Sequence, residues 1–298
     1  MKSLPLVKSL AVMALAAGML ALPLTLRMPN PWYSPAVNEL HEASHATLFA
    51  LLTWLFIVVL RRLAPHRSQL MALAVAMGVA LLLGIAIEWI QPYVGRDRSW
   101  VDAERDAMGI VAAGAAYIAL ISRRRVALMA GLVTLALLLW SHEAVLWVLR
   151  DEIARNQAFP VVFDANSHWS RRFAHGDKAS LEFAPPAPAR LTLPAGRRWP
   201  GLSIHNTVRD WHGYTHLNMS LVVLGDKAVP MGLNVYPQHT NRPLWYKPLL
   251  LAPGHHRLRL EMPPEVAASG EIRHVKLYAI SPLAKGATLQ VARIWLDD

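Results

Sequence analysis

The sequence predicts two domains of different classes. Residues 1–150 are expected to form an α-helical membrane bundle of about five transmembrane helices, and residues 151–298 an all-β jelly roll or β-sandwich. The first part is dominated by long runs of Leu, Ala, Val, Ile and Met, and the second is rich in Pro, Arg, His and Trp. The apolar segments of the second part are short and alternate with a period of two, which is typical of strands.

Five apolar stretches approach the length of about 20 residues that a membrane-spanning helix needs. The second and fourth are short and require polar flanking residues to complete the span. The first could instead be a signal peptide, since Lys2 and Lys8 precede it. Its long apolar run and the lack of a clean A-x-A site favour an uncleaved helix. The stretches are Leu4–Leu26, His45–Leu60, Leu70–Ile90, Ala107–Ile121 and Val126–Leu149.

Basic residues predict how these helices are oriented, because Lys and Arg accumulate on the cytoplasmic side of a membrane. All three basic clusters fall on one side of the predicted bundle, which gives a cytoplasmic N-terminus and an extracytoplasmic C-terminal domain. The clusters are Lys2 with Lys8, Arg61 with Arg62 and Arg67, and Arg123 with Arg124 and Arg125.

The formal net charge of +10 is explained in part by these clusters, so it needs no nucleic-acid partner. The chain has no cysteine, which excludes disulfides and thiolate metal sites.

Three pairs of polar residues stand at the ends of apolar segments. The members of each pair are three or four residues apart, so on a helix they share one face. Ionisable groups beside a bilayer are costly, and they are often functional. The helix rise of 1.5 Å per residue brings all three pairs to about the same depth, at the outer boundary. The pairs are His41 with His45, Glu88 with Gln91, and Asp102 with Asp106.

The segment between the third and fourth stretches, which includes Arg96, Arg98 and Ser99, adds further polar groups at this depth. We expect the polar residues to converge, with Arg96 or Arg98 paired to a carboxylate. The simpler interpretation is that charged residues at helix ends anchor the helices or pair to fix their packing. We favour this simpler interpretation for Arg98, Glu104 and Arg105.

The segment EWIQPYVGRDRSWVDAERDAMGIVAAG resembles the VanZ-like membrane family. That family has the approximate pattern E-x-x-Q, a short loop, R-x-x-S-x-x-D and x-x-x-N-x-x-G, and its helix-opening His corresponds to His45. Asp106 stands where the family has an Asn-like residue, and His41 with Glu42 replaces the usual Asp-Lys. The resemblance covers about residues 36–122 and implies an integral membrane protein of the bacterial envelope. The matching residues are Glu88, Gln91, Arg96, Ser99, Asp102 and Gly109.

The chemistry of this polar cluster has two interpretations. An acid–base pair acting on a lipid-linked substrate would use Glu88, Asp102 or Asp106 as catalytic groups. A ligand-recognition or structural role would use His45, Gln91, Arg96 and Ser99. His41 and His45 do not have the H-E-x-x-H spacing of zinc proteases, so we expect no metal and no cofactor.

The second domain contains nine candidate strands, separated by turns rich in Pro, Gly and Asn, and this pattern favours a sandwich or jelly roll. The stretches DWHGYTHLNMSLVV and LLLAPGHHRLRLEMP resemble the jelly-roll superfamily of carbohydrate-binding modules. The predicted strands are Ala179–Phe183, Ala189–Leu193, Gly201–Thr207, Thr215–Leu224, Val229–Tyr236, Trp245–Leu251, His256–Glu261, Arg273–Ala279 and Thr288–Trp295.

Aromatic rings that stack on sugars are the expected ligand contacts of such a domain. Trp199, Trp211, Trp245 and Tyr246 are available. Trp211 is the best ligand candidate, because it stands close to a glycine at the edge of a predicted loop. Arg209 and Asp210 are expected to bind hydroxyl groups next to it, whereas Trp245 and Trp295 are expected in the core.

The sequence therefore predicts an envelope protein of the bacterial plasma membrane whose exported domain recognises a glycan. Its expected partners are membrane lipid and an envelope glycan or lipid-linked glycan, and its oligomeric state is not predicted. One alternative is a membrane enzyme that modifies a lipid-linked glycan or a phosphate-bearing substrate. A transporter is disfavoured, because no charged residue stands near mid-bilayer and no internal repeat is present.

Overall fold

The computed structural model describes residues 34–94, 99–208, 210–237, 242–270 and 272–298. The predicted span Leu4–Leu26 lies outside these residues, as do the predicted site residues Arg96 and Arg209. The chain divides into two compact units between Trp147 and Val148.

Four long helices precede the strands. Three segments are long and apolar enough to cross a membrane: Pro35–Leu63, Gln69–Tyr93 and Arg124–Ala158. The other helix, Trp100–Ile121, carries four charged residues in its first two turns, which lowers its hydropathy. The described residues thus contain three candidate spans, and five are not established. The helices are α1 (Pro35–Leu63), α2 (Gln69–Ile90), α3 (Trp100–Ile121) and α4 (Arg124–Ala158), with a 3-10 turn at Gln91–Val94.

Serine caps set the beginnings of α1, α2 and α3. The hydroxyls of Ser34, Ser68 and Ser99 each accept a hydrogen bond from the backbone N–H three residues later. Such a cap satisfies one of the N–H groups that the first turn of a helix leaves without a partner. Ser99 therefore fixes where α3 begins.

Small residues let α1 and α3 approach closely. A Cβ atom on Gly109 would lie 2.0 Å from the backbone oxygen of Ala46, so only glycine fits there. Small residues at such contacts let helix backbones approach closely. Phe49, Phe56 and Ile110 pack in the core that the helices share.

The second unit is a sandwich of two antiparallel sheets. One sheet has the order β3-β4-β11-β6-β9, with β1 also paired to β11, and the other has the order β2-β5-β10-β7-β8. Short helices α5 (His168–Phe173) and α6 (Pro264–Ala267) lie between strands. The strands are β1 (Val161–Asp164), β2 (Ala174–Asp177), β3 (Ser180–Glu182), β4 (Ala189–Leu193), β5 (Gly201–His205), β6 (His216–Leu224), β7 (Val229–Pro237), β8 (Trp245–Leu251), β9 (Gly254–Glu261), β10 (Ile272–Ala279) and β11 (Ala287–Asp297).

The strand order of β4 to β11 is that of a jelly roll. Successive strands alternate between the two sheets, except that β7 and β8 are neighbours in one sheet, giving β4-β11-β6-β9 against β5-β10-β7-β8. Apolar side chains from both sheets, such as Leu191, Met219, Leu233 and Leu277, form one core between them. The predicted all-β sandwich is therefore confirmed.

Candidate functional site

His45 lies at the centre of the polar cluster in the helical unit. Its imidazole is fully buried in α1, and Nδ1 is 2.9 Å from Oδ1 of Asp106 on α3. The other ring nitrogen, Nε2, is 3.8 Å from Oδ2 of Asp102, one turn earlier on α3. The spacing of four residues puts both carboxylates on the face of α3 that meets α1. The predicted convergence of His45, Asp102 and Asp106 is present.

Glu88 joins this cluster through Ser99. One oxygen of the Glu88 carboxylate accepts a hydrogen bond from the backbone N–H of Ser99 at 2.9 Å, and the Ser99 hydroxyl caps α3 at Asp102. Glu88 is only 8% exposed, and Gln91 is fully buried at the end of α2. Oε1 of Glu88 has no hydrogen-bond partner among the described residues. The 3-10 turn and the cap thus hold an acidic group against the start of α3.

Arg105 connects α3 to α1 on an adjacent surface. Its guanidinium lies 2.8 Å from the carboxylate of Glu42 and 3.5 Å from that of Glu39. This matches the expectation that Arg105 pairs to fix helix packing. Because Arg96 and Arg98 lie outside the described residues, their predicted pairing with a carboxylate stays a prediction.

The contacts of His45 suit proton transfer. Among the residues that the structure describes, no three His, Asp or Glu side chains are placed to hold a metal ion together. A buried imidazole with a carboxylate at one nitrogen is instead oriented to exchange a proton at the other. The cluster can act as an acid–base pair or as a buried polar lock between helices.

Trp211 corrects the prediction for the sandwich. Its indole is fully buried in the core between the sheets, and Nε1 donates to the backbone oxygen of Val208 at 2.8 Å. A ring enclosed on both faces has no surface for a sugar, so the prediction that Trp211 contacts a ligand is wrong. Gly213, two residues later, has a positive φ of 86° and allows the chain to turn, and the large apolar area of the indole is used in the core.

The other predicted sandwich residues have varied surroundings. Asp210 is exposed and accepts hydrogen bonds from the backbone and the imidazole of His212, which hold the pKa of Asp210 below its usual range. Trp245 is buried in the core as predicted. Trp295 lies instead on the outer face of its sheet, beside Trp169 and Phe173.

Polar and aromatic residues cover the outer face of the five-stranded sheet, hereafter the ring face. Alternate residues of β10 and β7 point into the core, which leaves their neighbours on the outer face. Tyr246 on β8, the edge strand, is 49% exposed on the same face. The ring face comprises His175, Asp177, His205, Asn234, Tyr236, Tyr246, His274, Lys276 and Tyr278.

Four rings on four neighbouring strands form a stack across the ring face. The ring centroids of His175 and His205 are 4.6 Å apart, those of His205 and His274 are 4.2 Å apart, and those of His274 and Tyr236 are 5.1 Å apart. Burial, together with the charge of His175, lowers the pKa of His205 to about 4. Burial, together with the charge of His205, lowers the pKa of His274 to about 3. Both rings are therefore neutral at pH 7.

Two tyrosines lean over a glycine beside this stack. A Cβ atom on Gly232 would lie 3.0 Å from Cζ of Tyr278 and 3.1 Å from Cε2 of Tyr246. The absence of a side chain there lets both rings lie close to the sheet. Burial raises the pKa of Tyr278, which keeps its hydroxyl protonated as a donor. Asn234 donates to the hydroxyl of Tyr236 at 2.8 Å.

A charged pair lies next to the tyrosines. Lys276 donates to the Asp177 carboxylate and holds the pKa of that group below its usual range. The Lys276 ammonium is 5.7 Å from the centre of the Tyr278 ring, within the range of a cation–π contact. The ring face thus combines flat apolar surface with fixed hydrogen-bonding groups.

Tyr246 is predicted from the sequence as a ligand contact, whereas most other residues of the ring face are not. The signal was the alternation within IRHVKLYA, where His274, Lys276 and Tyr278 occupy every second position. Similar alternation places Asn234 and Tyr236 on one side of β7. Each strand by itself looks like an ordinary strand with one solvent-exposed face, so only the pairing of strands shows that these residues form one surface.

Comparisons with known proteins give no family for this chain. No protein-family model matches it, and no curated protein matches it. Its membership of the VanZ-like family therefore stays a prediction.

Several solved structures resemble part of the chain. The agarase AgWH50C aligns with a TM-score of 0.39 and 11% identity, over 46% of this chain and 24% of the agarase. An exo-β-agarase aligns with a TM-score of 0.37 and 14% identity, over 46% of this chain and 25% of that enzyme. A carbohydrate-binding module specific for non-crystalline cellulose, CBM28, aligns with a TM-score of 0.33 and 11% identity. The alignment covers 47% of this chain and 94% of the module. This chain spans about a quarter of the length of either agarase.

Proposed function

We propose that this chain is an envelope protein of the bacterial plasma membrane whose sandwich domain faces outward and binds a glycan through the ring face. The observation that carries the proposal is the platform of Tyr246 and Tyr278 over Gly232, bordered by Asn234 and Lys276. A pyranose ring has an apolar C–H face that packs on aromatic rings. Its hydroxyl groups need donors and acceptors at the edge of that contact.

The groups around the platform suit the hydroxyls of a sugar. Lys276 and Asp177 are paired, so they offer a donor and acceptor without a large net charge. The neutral imidazoles of His205 and His274 present ring edges, because their faces are covered by the stack. We therefore assign sugar stacking to the two tyrosines and hydrogen bonding to the polar groups beside them.

Glycan binding is tested with the full chain in maltoside detergent on an array of bacterial envelope glycans. Replacing both rings, Tyr246→Ala with Tyr278→Ala, should weaken binding at least about tenfold, since each stacked ring contributes on the order of 1 kcal/mol. Tyr93→Ala is the matched control, because Tyr93 is 86% exposed in the helical unit. Wild-type binding by the double variant, or no glycan bound by the wild type, would overturn the proposal.

A second candidate function is modification of a lipid-linked glycan or a phosphate-bearing envelope substrate by the helical unit. Its support is the contact between His45 and Asp106, since a carboxylate bonded to one imidazole nitrogen orients the other for proton transfer. Nε2 of His45 has no hydrogen-bond partner among the described residues. Asp102 and Glu88 would complete an acid–base set, and Arg96 would hold a phosphate.

This second function is tested in bacterial cells by mass spectrometry of lipid-linked glycans. Expression of the wild type should change their profile, and His45→Gln or Asp106→Asn should abolish the change while the protein remains in the membrane. Glu39→Gln is the control, because Glu39 contacts Arg105 and lies outside the His45 contacts. A profile that the wild type leaves unchanged would exclude the enzyme and favour a structural cluster.

A further inference from the structure

A second polar surface lies on the outer face of the six-stranded sheet. Alternate residues of β6 point into the core, so Asn218 and Ser220 face outward. The strand partners of Asn218 are Trp295 on β11 and Arg259 on β9, and those of Ser220 are Arg293 and Arg257. The antiparallel register therefore gathers three arginines and an indole around two small polar side chains. We refer to Asn218, Ser220, Arg257, Arg293 and Trp295 as the arginine–indole cluster.

Two guanidinium groups share one indole in this cluster. Arg257 and Arg293 each lie 5.8 Å from the centre of the Trp295 ring. Both side chains are exposed, and neither forms an ion pair with any residue in the described part of the chain. Two like charges around one ring repel each other, so an anion between them would lower the electrostatic energy.

The nearby acidic groups are already engaged. Asp297 lies 3.4 Å from the guanidinium of Arg259. Asp164 is the strand partner of Arg293, but its carboxylate accepts a hydrogen bond from the backbone N–H of Asn166 at 2.9 Å. Among the described residues, neither carboxylate forms an ion pair with Arg257 or Arg293.

A buried amide in the cluster also lacks an acceptor. Asn218 is only 4% exposed, and its Nδ2 has no hydrogen-bond partner among the residues described. A buried donor without an acceptor is costly, and such groups are rare in folded proteins. The unsatisfied amide and the two guanidinium groups therefore lie on the same face of three neighbouring strands. The complementary ligand is rich in acceptors and negatively charged.

We propose that the arginine–indole cluster binds a phosphate group. Guanidinium groups bind phosphate oxygens through paired hydrogen bonds, and the Asn218 amide would donate to a third oxygen. The Trp295 ring packs against Val161, Trp169 and Phe173, which fixes the position of the ring that both guanidinium groups approach. The site lies on the sheet opposite the ring face and does not depend on glycan binding. The phosphate can be carried by a soluble compound or by a phospholipid headgroup.

The first experiment measures binding of inorganic pyrophosphate to the full chain in maltoside detergent, by isothermal titration calorimetry. The double change Arg257→Gln with Arg293→Gln should weaken binding at least about tenfold, because it removes both charge-assisted contacts. Asn218→Leu should also weaken binding while leaving the net charge unchanged. Arg190→Gln is the control, since Arg190 is exposed on β4 of the same sheet. It removes one positive charge outside the cluster.

The outcomes separate a built site from general charge attraction. Equal weakening by Arg190→Gln and by the double variant, or unchanged binding by both the double variant and Asn218→Leu, would overturn the proposal. Circular dichroism of the arginine variants should match that of the wild type, because the altered arginines are exposed.

A second arm identifies the source of the phosphate. The full chain is reconstituted in nanodiscs that contain phosphatidylglycerol, and pyrophosphate is titrated again. Weaker apparent binding than in detergent, restricted to the wild type, would assign the site to a lipid headgroup. Equal affinity in both settings would assign it to a soluble phosphate compound. Either result supports a phosphate site, whereas absence of pyrophosphate binding in detergent contradicts it.

Discussion

His205 and His274 show how burial changes the chemistry of a residue. Both lie in a stack of rings on a sheet surface, and both have a lowered pKa because the fold removes water from the charged form. Trp211 shows the same principle for an apolar ring, since its position in the core removes it from any ligand. A histidine can be charged or neutral and a tryptophan can bind a ligand or fill a core. Burial makes the two imidazoles neutral and places the indole in the core.

The lowered pKa values predict a pH-dependent stability. Between a folded pKa of about 4 or 3 and the unfolded value of 6.5, the unfolded state binds more protons. The stabilisation is therefore fully present above pH 6.5 and is lost as the pH falls toward 4. At about 1.4 kcal/mol per pKa unit, the free energy of unfolding should fall by at least about 2 kcal/mol between pH 7 and 4.5. Hydrogen exchange of the β5 and β10 amides in the full chain measures this.

Two substitutions make this prediction specific. His274→Phe keeps a ring in the stack but removes one titrating group, so it should reduce the pH dependence by about half. His255→Phe alters an exposed histidine on β9 of the other sheet and should leave the dependence unchanged. An unchanged pH dependence in His274→Phe would show that other groups control acid stability.

The packing of α1 against α3 positions the His45 cluster. Three features act together: the Ser99 cap, the close contact at Gly109, and the Arg105 pair with Glu42. The cap fixes where α3 begins, and the glycine sets how near it lies to α1. A shift of either helix would separate His45 from Asp106. The cluster is therefore a property of the helix pair.

Gly109→Ala tests this helix contact. The added Cβ would lie 2.0 Å from the Ala46 backbone oxygen, so α1 and α3 must separate. We expect a loss of about 3 kcal/mol in the stability of the helical unit, measured by thermal unfolding in detergent. Gly78→Ala is the control, because a Cβ there meets nothing within 4 Å. It should be neutral or stabilising by about 0.5–1 kcal/mol. Equal stability of the two variants would contradict the contact.

At the scale of the whole molecule, an apolar helical unit and a polar β-sandwich occupy one chain. Three helices are long and apolar enough to cross a membrane, and the sandwich has its own core. The three basic clusters all fall on one side of the predicted bundle. This predicts that the sandwich lies outside the cytoplasm. Both proposed binding surfaces require this placement if their ligands are envelope components.

Fusions after Asp298 test the orientation. An alkaline phosphatase reporter, which is active only outside the cytoplasm, should be active, and a fluorescent protein that matures only in the cytoplasm should stay dark. A matched pair of fusions after Arg67 should give the reverse, because that loop carries a basic cluster. An inactive phosphatase together with a fluorescent reporter after Asp298 would exclude an exported sandwich.

The sequence by itself determined that a helical part precedes an all-β part, and it located most of the strands. Period-two alternation located nine strands to within two residues at either end, and β4 and β8 have the predicted bounds. It missed β1 and β2, because neither VVFD nor AHGD alternates apolar with polar residues. The spacing of Asp102 and Asp106 placed both on one helix face, since that relation is local and follows from helix geometry.

The tertiary structure decided which residues meet. The ring stack takes one ring from each of β2, β5, β10 and β7, and the arginine–indole cluster draws on β6, β9 and β11. These contacts depend on strand order and register, which are set by long-range pairing and not by local pattern. Likewise, Trp211 and Tyr246 are both aromatic residues that the sequence offers as sugar contacts. Only the closing of the two sheets buried the first and left the second exposed.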